Sequence, residues 1–566
     1  DYLQRLETIS LRNEITRVLA ELLGKASGEE IDKLCYLLEG RVAPLYVNIE
    51  FGVSEKLILK AFPQIKESFE KIGDLGEAVY QFKIKNQKSK IKNYQELFEP
   101  EEISTVTDVH KILREMTAQT GKDSQKRKLS LLTSLLSSLT AVGAKYCVRI
   151  ILGKLRLGFS DRTILDSLSW AIIGDKSLRP ALEALYHVNP DIGLVARNIK
   201  GKSVREIEEM ARSAMPVPGM PVVMALCERA GTPEEAWGHI QCPAVGGATA
   251  AAVEDKYDGL RCQVHKNKQE ITIFSRNMEN TTAMYPELVA GIKELPAETL
   301  IIEGEAVAYD PVTGNSLAFQ ETVQRKRKYD ITEKSAEVPL RLYVFEILYI
   351  NGRSIIHETY ETRRKILADL FSVAVMVETH NYASLRLATA QTVSSLPELE
   401  KIFLEKTGTG MEGVIVKKID GIYAAGARDF NWIKIKRGFQ GQKITDTIDC
   451  VVMGYDWGKG KRTAFGIGGF LVGIFDPATE TYQTLAKIGT GLKDEEWKDL
   501  EIKNQKSKIK NKPQNYNVTD EMKCDVWVEP KIVVEIKADE ITKSDLHTAG
   551  GGLSLRFPRF MGFRPD

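Results

Sequence analysis

Met215-Pro216-Val217-Pro218-Gly219-Met220-Pro221 puts three prolines and a glycine into seven residues. Neither a helix interior nor a central strand passes through such a stretch, because proline fixes φ and lacks the amide donor. The chain must change architecture there, and its hydrophobic pattern does. Before the linker, Leu129, Leu132, Leu136 and Leu139 recur at helical spacing. Ile164, Leu165 and Leu168 repeat that spacing after a Ser160-Asp161 cap signal. After it, Ile271 to Ser275, Leu300 to Ala308, Leu342 to Ile350 and Gly413 to Lys418 are short β-rich runs with helix-like segments between them. The pattern changes again past Lys436-Arg437-Gly438-Phe439, where Ile448 to Tyr455, Gly468 to Asp476, Tyr482 to Ile488 and Val526 to Ile536 read as strands joined by glycine-rich turns. The expected layout is an all-α domain over 1–218, an α+β domain over 219–438 and a small β-barrel over 439–566.

Bulk properties bound the function without naming it. A chain of 566 residues exceeds one core and suggests three or four domains. Its 43% hydrophobic and 27% charged residues are those of a soluble globular protein, and no apolar run approaches a membrane span. The polar opening Asp1-Tyr2-Leu3-Gln4-Arg5 does not read as a signal peptide. A net charge of +1 means that any nucleic-acid surface must be local. The seven cysteines are scattered and form no C-x-x-C, which argues against a zinc site and for a reducing cytoplasm.

Val253-Glu254-Asp255-Lys256-Tyr257-Asp258-Gly259-Leu260-Arg261 sets one lysine before an Asp-Gly turn. Beyond it Arg261, Gln263 and His265 alternate with Cys262 and Val264, the period of a strand. Lys256 is thus expected at a strand end, facing a pocket. A lysine is nucleophilic only when neutral, and an ordinary amine titrates near ~10.4. Partial burial and nearby cations favour the neutral form, with Arg261 and Arg276 as the expected neighbours. Taken alone, the motif reads first as a surface lysine before a turn, and the rest of the chain changes that balance.

Two further features stand apart. From Ala141 to Ser160 there are four cations and no acid, and Gly153 and Gly158 would let backbone amides approach a phosphate. The same stretch reads as a solvated basic helix face. The decapeptide Ile84 to Asn93 recurs letter for letter at Ile502 to Asn511, with four lysines in each copy and unrelated flanks. Both copies are expected to be exposed, mobile loops rather than phosphate-binding arms.

Downstream of Lys256 come Phe274 to Thr282 with Arg276, Ile302-Glu303-Gly304-Glu305-Ala306-Val307, Tyr343-Val344-Phe345-Glu346, Met411-Glu412-Gly413-Val414-Ile415-Val416-Lys417, Arg428, Trp432-Ile433-Lys434-Ile435-Lys436, and Leu555-Arg556-Phe557-Pro558-Arg559. In order and spacing these resemble the nucleotidyltransferase motifs of ATP-dependent DNA ligases, most closely the replicative type of archaea and eukaryotes. The resemblance covers nearly the whole chain. Leu152 to Gly158 is similar to the DNA-contacting segment of that family's helical domain, and Asp446 to Gly460 with Lys487 to Gly491 to its C-terminal OB-fold.

The resemblance implies a mechanism and assigns roles. Lys256 would attack the α-phosphorus of ATP and carry AMP, which then passes to the 5′-phosphate of a nick before the 3′-hydroxyl displaces it. Glu254 would read adenine, Phe345 would stack on the base, and Arg261, Arg276 and Arg428 would contact the nucleotide. Lys434 and Lys436, alternating with isoleucines, would face the α-phosphate. Glu305 and Glu412 would meet Mg²⁺ or ribose, with Glu303 off the key position. Arg149, Lys154 and Arg156 would touch DNA, and Arg556 and Arg559 would position pyrophosphate after a domain movement. The implied substrate is nicked double-stranded DNA, in replication, repair and recombination. A cytoplasmic, nucleoid-associated monomer with a sliding clamp as additional partner and no membrane contact is expected.

Three rivals bear on this reading. Capping enzymes and RNA ligases share Lys-x-Asp-Gly, but Glu254 and the helical N-terminal domain stand against capping and the chain's length against RNA ligases. An NAD-dependent ligase would be expected to carry a four-cysteine zinc site. A non-catalytic DNA clamp would have no use for Lys256, Glu305, Glu412 and Lys434 together.

Overall fold

The computed structural model describes residues 1–566 apart from 10, 89–104, 156, 242–248, 326–330, 377–383, 437–446, 459–464, 539 and 565–566. It forms two compact units, Asp1–Lys434 and Ile435–Asp566. Among the described residues no helix is long and apolar enough to cross a membrane.

The first unit opens with helices from Tyr2–Glu7 to Val204–Arg212. Of the expected leucines, Leu132 and Leu136 are buried on helix Ser124–Ser138 together with Leu135, Leu129 is half-buried, and Leu139 caps the helix end. Asp161–Ile173 starts at the expected cap, where Ser160 and Thr163 form a reciprocal capping box. The apolar faces close two cores, one around Leu19, Leu23, Ile164 and Leu182 and one around Ile58, Ile65, Leu132 and Val148.

The basic stretch divides in a way its composition does not show. Lys145 and Arg149 lie on helix Ala141–Ile151 and are both buried. Arg149 binds Asp74 at 2.9 Å and Glu7 at 3.0 Å, and Lys145 binds Glu7 at 2.9 Å and Glu77 at 2.8 Å. The expectation that Arg149 contacts DNA is therefore corrected. Its side chain is only 7% exposed, and both terminal nitrogens are spent on carboxylates that join three helices. Lys154, past the helix end, is 54% exposed and pairs with Glu55 at 2.7 Å. Arg156 lies outside the described residues.

Beyond the linker two sheets form. One has the order β1 (Leu226–Ala230), β11 (Arg428–Lys436), β10 (Gly413–Lys418), β2 (Ala251–Asp255), β9 (Ala390–Val393). The other runs β4 (Glu270–Ser275), β3 (Leu260–Asn267), β5 (Thr299–Ala308), β6 (Leu340–Ile350), β7 (Arg353–Ser354), with β8 (Leu385–Leu387) on β6. Helices Pro286–Lys293 and Tyr360–Met376 flank this sheet, and Val264, Ile302, Leu342, Val344 and Leu367 fill its core.

The second unit is strand-rich. Its main sheet joins β12 (Ile448–Trp457), β13 (Ile467–Asp476), β14 (Thr481–Ile488), β15 (Lys508–Ile509), β16 (Tyr516–Asn517), β17 (Val526–Val528), β18 (Val533–Lys537) and β21 (Arg559–Phe563). β19 (Glu540–Lys543) and β20 (Leu553–Arg556) make a separate pair. Along one edge β12 pairs β18 through Ile448 to Val451 and β17 through Gly454 and Tyr455. The register slips beside these switches, between Val452 and Gly454, and such irregularities curl a sheet. The result is a curled half-barrel over Val452, Phe470, Val472 and Val534.

The loop expectation for the duplicated decapeptide fails in this unit. Ile502 to Ser507 form the last turns of helix Asp494–Ser507, and Lys508 and Ile509 continue as β15 against Val528 and Trp527. In the first copy Ile84 to Lys88 end helix Leu75–Lys88, and 89–93 lie outside the described residues. Lysine, glutamine and isoleucine propagate a helix already nucleated upstream, and neither glycine nor proline interrupts them. Asn504 is fully buried, and its side-chain amide has no partner among the described residues.

Candidate active site

Strand register decides which side chains meet. In the antiparallel pair of β2 and β10, Glu254 faces Ile415 and Ala252 faces Lys417. Directly opposed residues share a sheet face, as do residues two apart, so Ala252, Glu254, Ile415 and Lys417 project to one side. Lys256 follows in the same alternation, and its amide donates to the Gly413 carbonyl at 3.1 Å. The chain then turns into β3 with Gly259 pressed against β5. A Cβ there would lie 2.4 Å from the Ala306 oxygen, so only glycine fits.

The turn brings Lys256 to a group of carboxylates. Its ammonium pairs with Glu412, both side chains being about four-fifths buried. Glu305 stands half-buried on β5, opposite Arg261 of β3. Burial pushes its carboxyl up to about 7. Lys256 and Arg261 oppose that rise, while Glu412 and Asp258 add to it. The partner beside Lys256 is thus an acid, where the sequence reading expected Arg261 and Arg276. Among the described residues no three His, Cys, Asp or Glu side chains converge as a metal cluster.

Arg261 crosses between the sheets. It donates to Glu303 at 2.7 Å and to the Ala225 carbonyl at 2.7 Å, and its guanidinium lies 5.5 Å from the Phe345 ring and 5.4 Å from Trp432. Its Nε is buried with no partner among the described residues. Glu303 is fully buried and accepts also from Gln263 and Tyr423, so it serves the fold rather than a metal. Phe345 is half-buried and meets Trp432 edge-on at 6.1 Å. Ile433 and Ile435 are buried while Lys434 and Lys436 are half-exposed, as the alternation predicts for β11. Lys434 joins the cluster electrostatically. Burial raises the thiol of Cys227, and Arg261, Lys417, Lys434 and Lys256 together pull it back.

Other sequence-predicted residues stand elsewhere. Arg276, after β4, and Arg428, at the start of β11, are exposed. Arg556 and Arg559 belong to the second unit and flank Phe557, which adopts a left-handed φ of 53° and whose ring lies 5.3 Å from the Arg556 guanidinium. Sequence reasoning gave no role to Lys417, Tyr360 and Arg363. The available signal was a lysine ending the apolar run Val414-Ile415-Val416.

A helical region, a two-sheet domain with a buried lysine–carboxylate pair and a curled strand domain together make the layout of a multidomain nucleotide-using enzyme. Family models match all three parts: the DNA ligase N terminus over 1–169, the ATP dependent DNA ligase domain over 226–436 and the ATP dependent DNA ligase C terminal region over 463–566. A probable DNA ligase of Dictyoglomus thermophilum is 41% identical over 99% of this chain and 93% of its own length. A DNA ligase of Saccharolobus shibatae is 36% identical over 100% of this chain and 93% of its own. The solved structure Pmar-Lig_PreS3 shares the fold with a TM-score of 0.56 at 17% identity, over 100% of this chain and 98% of that one. The chain belongs to the ATP-dependent DNA ligase family. It is accordingly an enzyme that uses ATP and acts on DNA.

Proposed function

We propose that the enzyme seals nicks in duplex DNA through a lysyl-AMP formed on Lys256. The observation that carries this reading is the Lys256–Glu412 pair beside Glu254, Arg261 and Phe345. In the first step Lys256 Nζ bonds to the α-phosphorus of ATP and pyrophosphate leaves. The ammonium must first give up a proton, and Glu412 is the carboxylate in contact with it. AMP next passes to the 5′-phosphate at the nick, freeing Lys256. The 3′-hydroxyl then attacks that phosphate and AMP departs.

The residues suit the nucleotide. Arg261 Nε is a buried donor without a partner among the described residues, fit for a ribose or phosphate oxygen. Glu254 accepts from the adenine amine, Phe345 stacks on the base, and Arg276 and Arg428 approach from the exposed rim. Lys434 and Lys436 balance phosphate charge, and Arg556 and Arg559 align pyrophosphate. Glu305 and Glu412 suit Mg²⁺, a hard cation that completes its shell with water and phosphate, and a cation there would oppose the burial that raises the Glu305 carboxyl. Bound there, Mg²⁺ would neutralise the developing charge on phosphate oxygens.

Lys154 and Arg156 contact the DNA backbone in this reading. Family membership supports action in replication, repair and recombination, by a cytoplasmic, nucleoid-associated monomer with a sliding clamp as further partner. The test is incubation with α-labelled ATP and Mg²⁺ followed by denaturing electrophoresis. Acid-labile label is expected on the wild type and none on Lys256→Ala, which still binds nicked duplex. Label on the variant would sink the assignment of Lys256.

A further inference from the structure

Behind Glu254 lies a cation that the proposed steps do not use. Lys417 is 1% exposed, and its ammonium is 2.8 Å from Glu254 and 3.9 Å from Glu346. It lies 4.2 Å from the Trp432 ring centre, 4.9 Å from Phe345 and 5.1 Å from Tyr360. The other Glu254 oxygen accepts from the Tyr360 hydroxyl at 2.7 Å. Arg363, wholly buried, closes the rear of the group with two 2.9 Å bonds to Glu346. Two carboxylates thus face two cations. An apolar cluster of similar volume would stabilise this place as well or better. The lysine supplies what an apolar residue cannot, a fixed donor to Glu254.

That donor determines what Glu254 can bind. A carboxylate oxygen carries two lone pairs. Lys417 occupies one on Oε2 and Tyr360 one on Oε1, so the lone pairs left over can only accept. A purine edge meeting them must present a donor, as a 6-amino group does and a 6-oxo group does not. The same ammonium lies over Phe345, the stacking surface, so one cation fixes both the base-reading carboxylate and the ring.

We propose that Lys417, with Tyr360, is a positioning residue that holds Glu254 as an acceptor and thereby sets the preference for 6-aminopurine nucleotides. The inference rests on the assignment of Glu254 as the adenine reader. The experiment compares self-labelling by α-labelled ATP with that by α-labelled purine riboside triphosphate, which lacks the 6-amino group. The full-length chain is used as wild type, Lys417→Met, Tyr360→Phe and Glu254→Gln. The ratio of kcat/KM for the two nucleotides is read, because a loss of folded protein lowers both values and leaves their ratio alone.

The wild type is expected to favour ATP by roughly tenfold or more, the effect of leaving a buried charged acceptor unmet. Lys417→Met and Glu254→Gln are expected to bring the ratio within about threefold of unity, mainly through KM for ATP. Tyr360→Phe, which keeps the ring, should lower it part-way and stands in if Lys417→Met does not fold. Collapse in Glu254→Gln with a wild-type ratio in both other variants would overturn the role of Lys417 and Tyr360 while the base-reading assignment stood. A wild-type ratio in Glu254→Gln would overturn that assignment, and the inference with it.

Discussion

The helical region and the two-sheet domain each bury a knot of charge, and the two knots differ in what they leave unspent. Around Arg149, the carboxylates of Glu7, Asp74 and Glu77 meet Lys145 and Arg149, tying Tyr2–Glu7 and Leu75–Lys88 to Ala141–Ile151. Around Lys417, Glu254 and Glu346 meet Lys417 and Arg363, and the network ends at a carboxylate that retains accepting capacity beside Phe345 and Arg261. Pairing is alike in both, while burial is deeper in the second, where no side chain is more than 3% exposed against 31% for Glu7 in the first. The difference lies in the surroundings: the first network is consumed by helix packing, whereas the second reaches Glu254 on β2, two residues before Lys256. A buried ion pair acquires a functional meaning only once its unused hydrogen-bonding capacity and its neighbours are counted.

Arg149→Met should have the largest effect. If its network serves packing alone, removing the cation strands Asp74 among helices, leaves Glu7 to Lys145 and Tyr146, and should cost about 3–5 kcal/mol in urea unfolding. The protein that remains folded should bind nicked duplex with the wild-type salt dependence. A variant that keeps its stability but loses one unit of salt slope would return Arg149 to the DNA surface and erase the distinction drawn here.

Acid should act on both knots, through the same sign. Burial pushes Glu7 up, but hydrogen bonds from Lys145 and Tyr146 and the charge of Arg149 outweigh it and hold the carboxyl below its ordinary value of 4.5. Burial likewise pushes Glu346 up, and Arg363 first, then Lys417, bring it below that value. A carboxyl depressed in the folded state contributes stability above its unfolded value and loses that contribution as pH falls through its folded value. The thermal midpoint should therefore be insensitive to these groups near neutrality and fall on acidification below 4.5. Glu346→Gln should unfold at a lower midpoint at neutral pH and with a shallower acid limb. An acid limb as steep as that of the wild type would place the titrating groups elsewhere.

The sequence carried the periodic parts of this molecule and not the paired ones. Leucine spacing marks the helices, and alternation along Trp432 to Lys436 correctly sets the isoleucines inward and the lysines outward. The Lys256 turn is legible because Gly259 is required by local closeness to β5. Arg149 is not legible, because its partners lie 75 and 142 residues away and no helical period reports them. Lys417 hides for the same reason, its partners coming from β2, β6 and the start of helix Tyr360–Met376. Composition misled at the decapeptide, where neighbours made helix and strand from what reads as a lysine-rich loop. It also suggested cations beside Lys256, where folding brings Glu412 from 156 residues away.

The smallest effect on stability should come from Lys154→Glu, in the same basic stretch as Arg149. Lys154 stands one turn beyond the helix that buries Arg149, yet its side chain is 54% exposed and pairs only with a half-exposed Glu55. Exposed pairs of this kind contribute about 0–1 kcal/mol, so the urea midpoint should barely move. A phosphate can displace Glu55 at little cost, and the charge reversal removes that contact while adding repulsion. Affinity for nicked duplex should fall, and the slope of log K against log salt should shrink by about 0.9, the signature of one lost phosphate contact. Titration at three or four salt concentrations would read it. An unchanged slope would move the DNA-contacting surface away from this turn, and the buried Arg149 and the exposed Lys154 would then differ in accessibility but not in role.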